Sequence, residues 1–137
     1  MKGLLKLAKS DYKYANFAYL EIQKLSDEAD INICAYHLEQ CTEKLLKYIL
    51  QKESINYDRT HDIVVLVDLC LDNEISVPET IDLMSSTITS WATKSRYNSE
   101  FRASIRSLEK VLNCCKSWLD ELQILEVNIE QDINLPN

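Results

Sequence analysis

The chain has 137 residues, 46% of them hydrophobic and 27% charged, which fits one globular domain with a buried core and excludes a disordered chain. One glycine and two prolines are too few for a turn-rich β architecture, which needs glycine at many positive-φ positions, so the expected class is all-α. The formal net charge of -7 argues against broad, nonspecific nucleic-acid binding, because most of the surface repels phosphate, and leaves room only for a local basic site.

The elements follow from spacing. Leu5, Ala8, Tyr12, Ala15, Tyr19 and Ile22 step by three or four residues, which predicts a helix over about residues 4–25. Cys34, Leu38, Cys41, Leu45 and Tyr48 repeat the pattern over about 31–53, with Asp30 as N-cap. Thr60 caps a shorter helix, HDIVVLVDLCL. Ser76 with Glu79, and Pro78 in the first turn, form a capping-box signature for a fourth helix carrying Ile81, Met84, Ile88 and Trp91. The last helix carries Phe101, Ile105, Leu108, Leu112, Cys115, Leu119 and Leu122, with Asn98 or Ser99 as cap.

These elements predict an antiparallel up-and-down bundle of about five helices spanning residues 1–127, followed by a partly frayed tail at 128–137. Val111, Cys114, Trp118 and Leu125 add a second apolar stripe to the last helix. One helix of a small bundle seldom needs so wide a face, so homodimerisation through it is expected.

No stretch has the length of a membrane span, and MKGLLKLAKSDYKYA lacks the apolar core of a signal peptide. A cytoplasmic location is expected. Cys34, Cys41, Cys70, Cys114 and Cys115 form no CxxC pair and read as reduced, mostly buried thiols. Cys34, His37 and Cys41 share a helix face, but a structural zinc needs a fourth ligand, so no metal is expected. Gly3, the single glycine, excludes a phosphate-binding loop. No cofactor is expected.

Three of the four arginines, Arg96, Arg102 and Arg106, fall within SRYNSEFRASIRS. Arg102 and Arg106 are four apart and would share a helix face, with Arg96 just before it. Two readings stand: a solvated face paired with Glu100 and Glu109, or an anion site aided by the helix N-terminus at Ser99 to Phe101. Tyr97 could stack on a base or pack. Gln40, Glu43, Lys44 and Lys47 form one polar stripe, expected to be exposed; alternatively Glu43 or Gln40 pairs with an arginine from another helix.

AYHLEQCTEKLLKYILQKESINYDRTHDIVVLVDLC resembles the central signature of HEPN domains, matched by Tyr36, Gln40, Glu43, Lys44, Leu46 and Lys47, then Thr60, His61, Asp62 and Leu66. LAKSDYKYANFAYLE resembles the first helix of the family, and Ser95-Arg96-Tyr97-Asn98 its Thr-Arg-Tyr-Pro stretch. The resemblance implies a small helical bundle, usually a homodimer, that binds nucleotide or RNA near the dimer groove. It also implies a prokaryotic toxin–antitoxin or related defence or regulatory setting, with a minimal nucleotidyltransferase as a possible partner.

Nuclease members carry Arg-x4–6-His, in which histidine moves a proton and arginine stabilises the phosphorane-like transition state. Here Phe101, Arg102 and Ala103 stand where Arg96 would need histidine. Ser107, Leu108 and Glu109 stand there for Arg102. His37 and His61 lie outside the motif, so binding is expected rather than the family's usual cleavage. The nucleotide- or anion-binding candidates are Arg96, Tyr97, Arg102, Arg106, Arg59 and His61. A divergent ribonuclease, with His61 as base, and a pure interaction scaffold are the alternatives.

Overall fold

The structure, a computed structural model, describes the backbone of residues 2–97 and 102–134 and the side chains of 3–92 and 102–129. Its helices are α1 (Lys2–Lys24), α2 (Glu28–Lys52), α3 (Ile63–Asp72), α4 (Glu79–Leu83), α5 (Ser85–Tyr97) and α6 (Ile105–Asn134). No strand occurs among the described residues. The fold is an all-α bundle. No helix among the described residues is long and apolar enough to cross a membrane.

α2 is the central element and packs against α1, α3, α5 and α6. It buries Cys34, Leu38, Cys41, Leu45 and Tyr48, the positions that its three- and four-residue spacing selects. α1 buries Leu5, Ala8, Ala15, Ala18 and Ile22. It runs antiparallel to α2, since Tyr14 lies beside His37 while Asp11 reaches Lys44. Tyr48 donates to Glu126 and Thr42 faces Cys115, so α2 and α6 run in the same direction. Trp91 on α5 is fully buried in the shared core, and truncating it to alanine would cost about 3–5 kcal/mol.

Several helix starts differ from the sequence reading. Asp27, not Asp30, caps α2: its carboxylate accepts from the Ala29 amide at 2.7 Å. Asp30 falls in the first turn, where an acid still suits the helix dipole. Asp62, not Thr60, caps α3 by accepting from the Val64 amide at 2.9 Å. Thr60 acts one step earlier, on the Asp62 amide, and Thr89 of α5 accepts from the Ile63 amide.

The capping box expected at Ser76 and Glu79 is not formed. Pro78 occupies the N-cap with no side-chain hydrogen bond. The predicted fourth helix is two helices, α4 and α5, meeting at Met84. Ser85 Oγ donates to the Asp82 carbonyl there, a local bond that competes with the helical ladder.

α6 begins at Ile105 rather than near Asn98. Ser104 is its cap, with Oγ accepting from the Ser107 amide at 3.3 Å. The expected caps Asn98 and Ser99, and Phe101 with them, lie outside the described residues. At its other end α6 keeps helical backbone through Asn134.

Two helix ends show how the chain manages with so little glycine. After α2, the Ile55 amide donates to the Leu50 carbonyl and the Ser54 amide to Gln51. After α3, Ile75 donates to Cys70 and Glu74 to Leu71. Both are Schellman closures, which place one residue in the left-handed region. Ser54 (φ 58) and Glu74 (φ 59) fill it, where glycine would be unstrained.

The second stripe of α6 does not offer a free face. Val111 and Trp118 are buried within the single chain, and Cys114 is half-buried beside Thr80 and Ile81 of α4. Only Leu125 of that stripe is exposed. The width of the stripe is explained by α4 folding over it.

Candidate functional site: a polar ridge on α2

The positions expected to form an exposed polar stripe are largely covered. Glu43 is buried, and Gln40, Lys44 and Lys47 are half-buried. Burying a carboxylate costs several kcal/mol unless donors surround it, and here the donors come from two different places.

Toward α1, the Asp11 carboxylate accepts from Lys44 on one oxygen, and its other oxygen lies 2.9 Å from His37 Nδ1. Asp11 belongs to the buried face of α1, three residues after Ala8 and four before Ala15. Toward α3, Glu43 Oε1 lies 2.6 Å from His61 Nδ1, and its Oε2 lies 3.9 Å from Lys47. Among the described residues, Glu43 therefore pairs with a histidine and a lysine. Tyr57 closes over this end: Gln51 donates to its hydroxyl at 2.8 Å, and Lys47 Nζ stands 5.8 Å from its ring centroid.

Each unit thus repeats one arrangement of carboxylate, histidine and lysine. A carboxylate only accepts, so Nδ1 carries the proton and Nε2 is the basic nitrogen of each ring. The two rings differ in access. His37 is wedged between Tyr14 and Tyr36, at centroid distances of 5.5 and 5.1 Å. His61 has 82% of its side chain exposed, so its Nε2 is open to a ligand or a proton.

Glu39 lies next to this pair and is 1% exposed. Burial pushes its carboxyl up from 4.5 to about 7, although Gln40 donates to it at 2.8 Å. The sequence reading did not single out Glu39, and it met Asp11 only as the acid of the first-helix stretch LAKSDYKYANFAYLE. Their signal was present: each is an acid at a position that helical spacing assigns to a buried face.

Among the described residues, the remaining candidates do not gather at one point. Arg59 is exposed, two residues before His61. Arg102 precedes α6 and pairs with Glu28 in the first turn of α2. Glu28 and Glu43 are fifteen residues apart on one helix, about 22 Å by helical rise. Arg102 therefore sits at the start of α2, and His61 lies well along the helix from it. Arg106 is exposed in the first turn of α6, so Arg102 and Arg106 do not share a helix face, and the free helix start expected at Ser99 to Phe101 is replaced by one capped at Ser104. Arg96 and Tyr97 stand in the last turn of α5, and their side chains lie outside the described residues.

A cleft of about 650 Å³ lies between the 56–60 loop and α3. Asp58, Asp68 and Asp72 line it, and three carboxylates disfavour a phosphate there. Cys34 and Cys41 face the core while His37 is held by Asp11, so these three do not converge. Burial raises the Cys34 thiol to about 12 and Cys70 to about 11, which leaves them protonated and unreactive at neutral pH.

A model of the HEPN domain matches residues 1–125 of the chain. No curated protein and no solved structure matches it.

Proposed function

Because the chain belongs to the HEPN family, we propose that it is a nucleotide- or RNA-binding module of a prokaryotic toxin–antitoxin or related defence or regulatory system. In this reading it is a cytoplasmic homodimer, with a minimal nucleotidyltransferase as partner. The observation that carries it is His61: an exposed imidazole held by a buried carboxylate, with Arg59 two residues away. A phosphate bound at the His61 ring edge would have the exposed Arg59 two residues away as a candidate second contact. Exposed Ile124, Leu125 and Val127 on α6 supply apolar surface for the dimer.

Titration with ATP, GTP and a short single-stranded RNA at low salt tests the reading. Wild type is expected to bind, and His61→Gln, Arg59→Ala and Arg96→Ala each to weaken binding several-fold. Absence of binding by the wild type would remove the nucleotide assignment. Light scattering that returns a monomer mass would remove the dimer.

A second reading, a divergent metal-independent ribonuclease, draws on the same pair. Glu43 fixes the His61 ring so that Nε2 can accept a proton from a 2′-hydroxyl. RNA degradation that survives EDTA and disappears in His61→Ala would favour this reading over binding alone.

A further inference from the structure

We infer that the outward face of α1 binds single-stranded nucleic acid along a track of lysines and aromatic rings. The inference rests on the nucleic-acid reading above, but it places the contact on a different surface and uses none of the same residues. α1 holds Lys2, Lys6, Lys9, Lys13 and Lys24 against Asp11 and Glu21, a net charge of +3 within a chain of -7. Asp11 is buried and bound by His37 and Lys44, and Glu21 lies 3.3 Å from Lys24. The outward face from Lys6 to Leu20 therefore presents no free carboxylate.

Helical spacing puts Lys6, Lys9, Lys13, Phe17 and Leu20 on this face, opposite the buried alanines of α1. Lys6, Lys9 and Lys13 are exposed and, among the described residues, have no ion-pair partner. Phe17 is 65% exposed and Tyr14 51%. Two shallow grooves of about 490 Å³ each run along the face, one past Lys6 and Lys9, the other past Tyr14 and Phe17. They meet at Lys13 and Asn16, so the track is continuous. Of the α6 acids beside α1, Glu109 bonds Tyr19, Asp120 pairs with Lys116, and Glu126, which lines a groove with Lys6 and Lys9, accepts from Tyr48.

Three like charges one turn apart repel each other in the free protein, and a polyanion relieves that repulsion. Lysines follow a phosphate backbone, and an exposed ring offers a stacking surface to any base. Lys6 to Leu20 spans about 21 Å, room for on the order of four nucleotides, the low end of single-strand site sizes. An anionic membrane fits the face less well. Interfacial helices separate cationic from apolar side chains around the axis, whereas Lys13 and Phe17, four residues apart, share one azimuth.

The test is fluorescence anisotropy of the full chain with a labelled RNA of about twelve uridines and its DNA counterpart, a length that exceeds the track. The combined Lys6→Gln, Lys9→Gln, Lys13→Gln variant is expected to bind at least tenfold more weakly at low salt. Its log–log salt slope should fall by about 2, at roughly 0.7 per lost single-strand contact. Phe17→Ala is expected to weaken binding about tenfold with an unchanged slope. All four positions are exposed, so the circular dichroism and melting of the variants should match wild type. Comparing the two probes reads whether the sugar matters.

Oligonucleotide binding that both variants retain, but His61→Gln loses, would overturn the α1 track and leave the His61 site standing. Binding of ATP or GTP with neither oligonucleotide bound would do the same. Failure with every nucleotide and oligonucleotide would overturn both. Capture of phosphatidylserine vesicles in place of oligonucleotides would also overturn the track, making this face a membrane contact.

Discussion

His61 Nδ1 lies 2.6 Å from Glu43 Oε1, which ties an exposed ring after the 53–60 segment to a buried carboxylate in the middle of α2. The two partners therefore differ in what their removal does. His61→Ala leaves Glu43 with Lys47 and fresh solvent access, so stability should fall by less than about 1 kcal/mol. Glu43→Ala takes a buried acceptor from Lys47 and opens space beneath the ring, and should cost about 2–4 kcal/mol. Urea unfolding of the two variants measures both. Nucleotide affinity should fall in each, because Glu43 positions the ring that His61 presents.

Asp11 joins α1 to α2 through Lys44 and His37. Its removal leaves a half-buried ammonium without its counter-ion. Asp11→Ala is expected to destabilise the chain by about 2–4 kcal/mol. Asp11→Asn, which keeps the acceptor oxygen and loses the charge, should cost less. Equal midpoints for Asp11→Ala and wild type in urea would contradict the structural role.

Glu39 makes stability depend on pH. Its folded carboxyl titrates near 7 instead of 4.5 because burial disfavours the charged form. Between those values the folded chain holds a proton that the unfolded chain has lost. Its favourable contribution is therefore full below pH 4.5, declines as pH rises, and is gone above about 7. The difference across the window is on the order of 3 kcal/mol. Glu39→Gln should be more stable than wild type at pH 8, with a flatter profile from 4.5 to 7. Parallel unfolding curves at several pH values would contradict this.

Ser54 and Glu74 hold left-handed conformations at the ends of α2 and α3. Glycine removes the Cβ strain, partly offset by the greater entropy of the unfolded chain. Ser54→Gly and Glu74→Gly should each stabilise by about 0.5–1 kcal/mol, raising Tm by about 2–4 °C. A lower Tm for both would show that the strain is smaller than the entropy term.

The sequence by itself determined the class of the fold and most of its core. Leu38, Cys41, Leu45 and Tyr48, or Leu108, Leu112, Cys115 and Leu119, occupy one helical face whatever the rest of the chain does, because rise and turn per residue are local properties. The family could be read for a similar reason: its residues keep their order and spacing along α2 and into α3.

Boundaries were less legible. Asp27 and Asp30 are both competent caps, and so are Thr60 and Asp62; the direction in which the chain enters the bundle selects between them. The polar ridge was the least legible feature. Asp11 finds His37 and Lys44 from 26 and 33 residues away, and Glu43 finds His61 across 18. Spacing could show that Asp11 and Glu43 stand among apolar residues; only packing of α1, α2 and the segment before α3 supplied the donors that make such positions tolerable. The same packing tied Arg102 to Glu28 and placed α4 over the second stripe of α6. Periodicity is written along one helix, whereas an ion pair between distant residues exists only once separate elements are brought together.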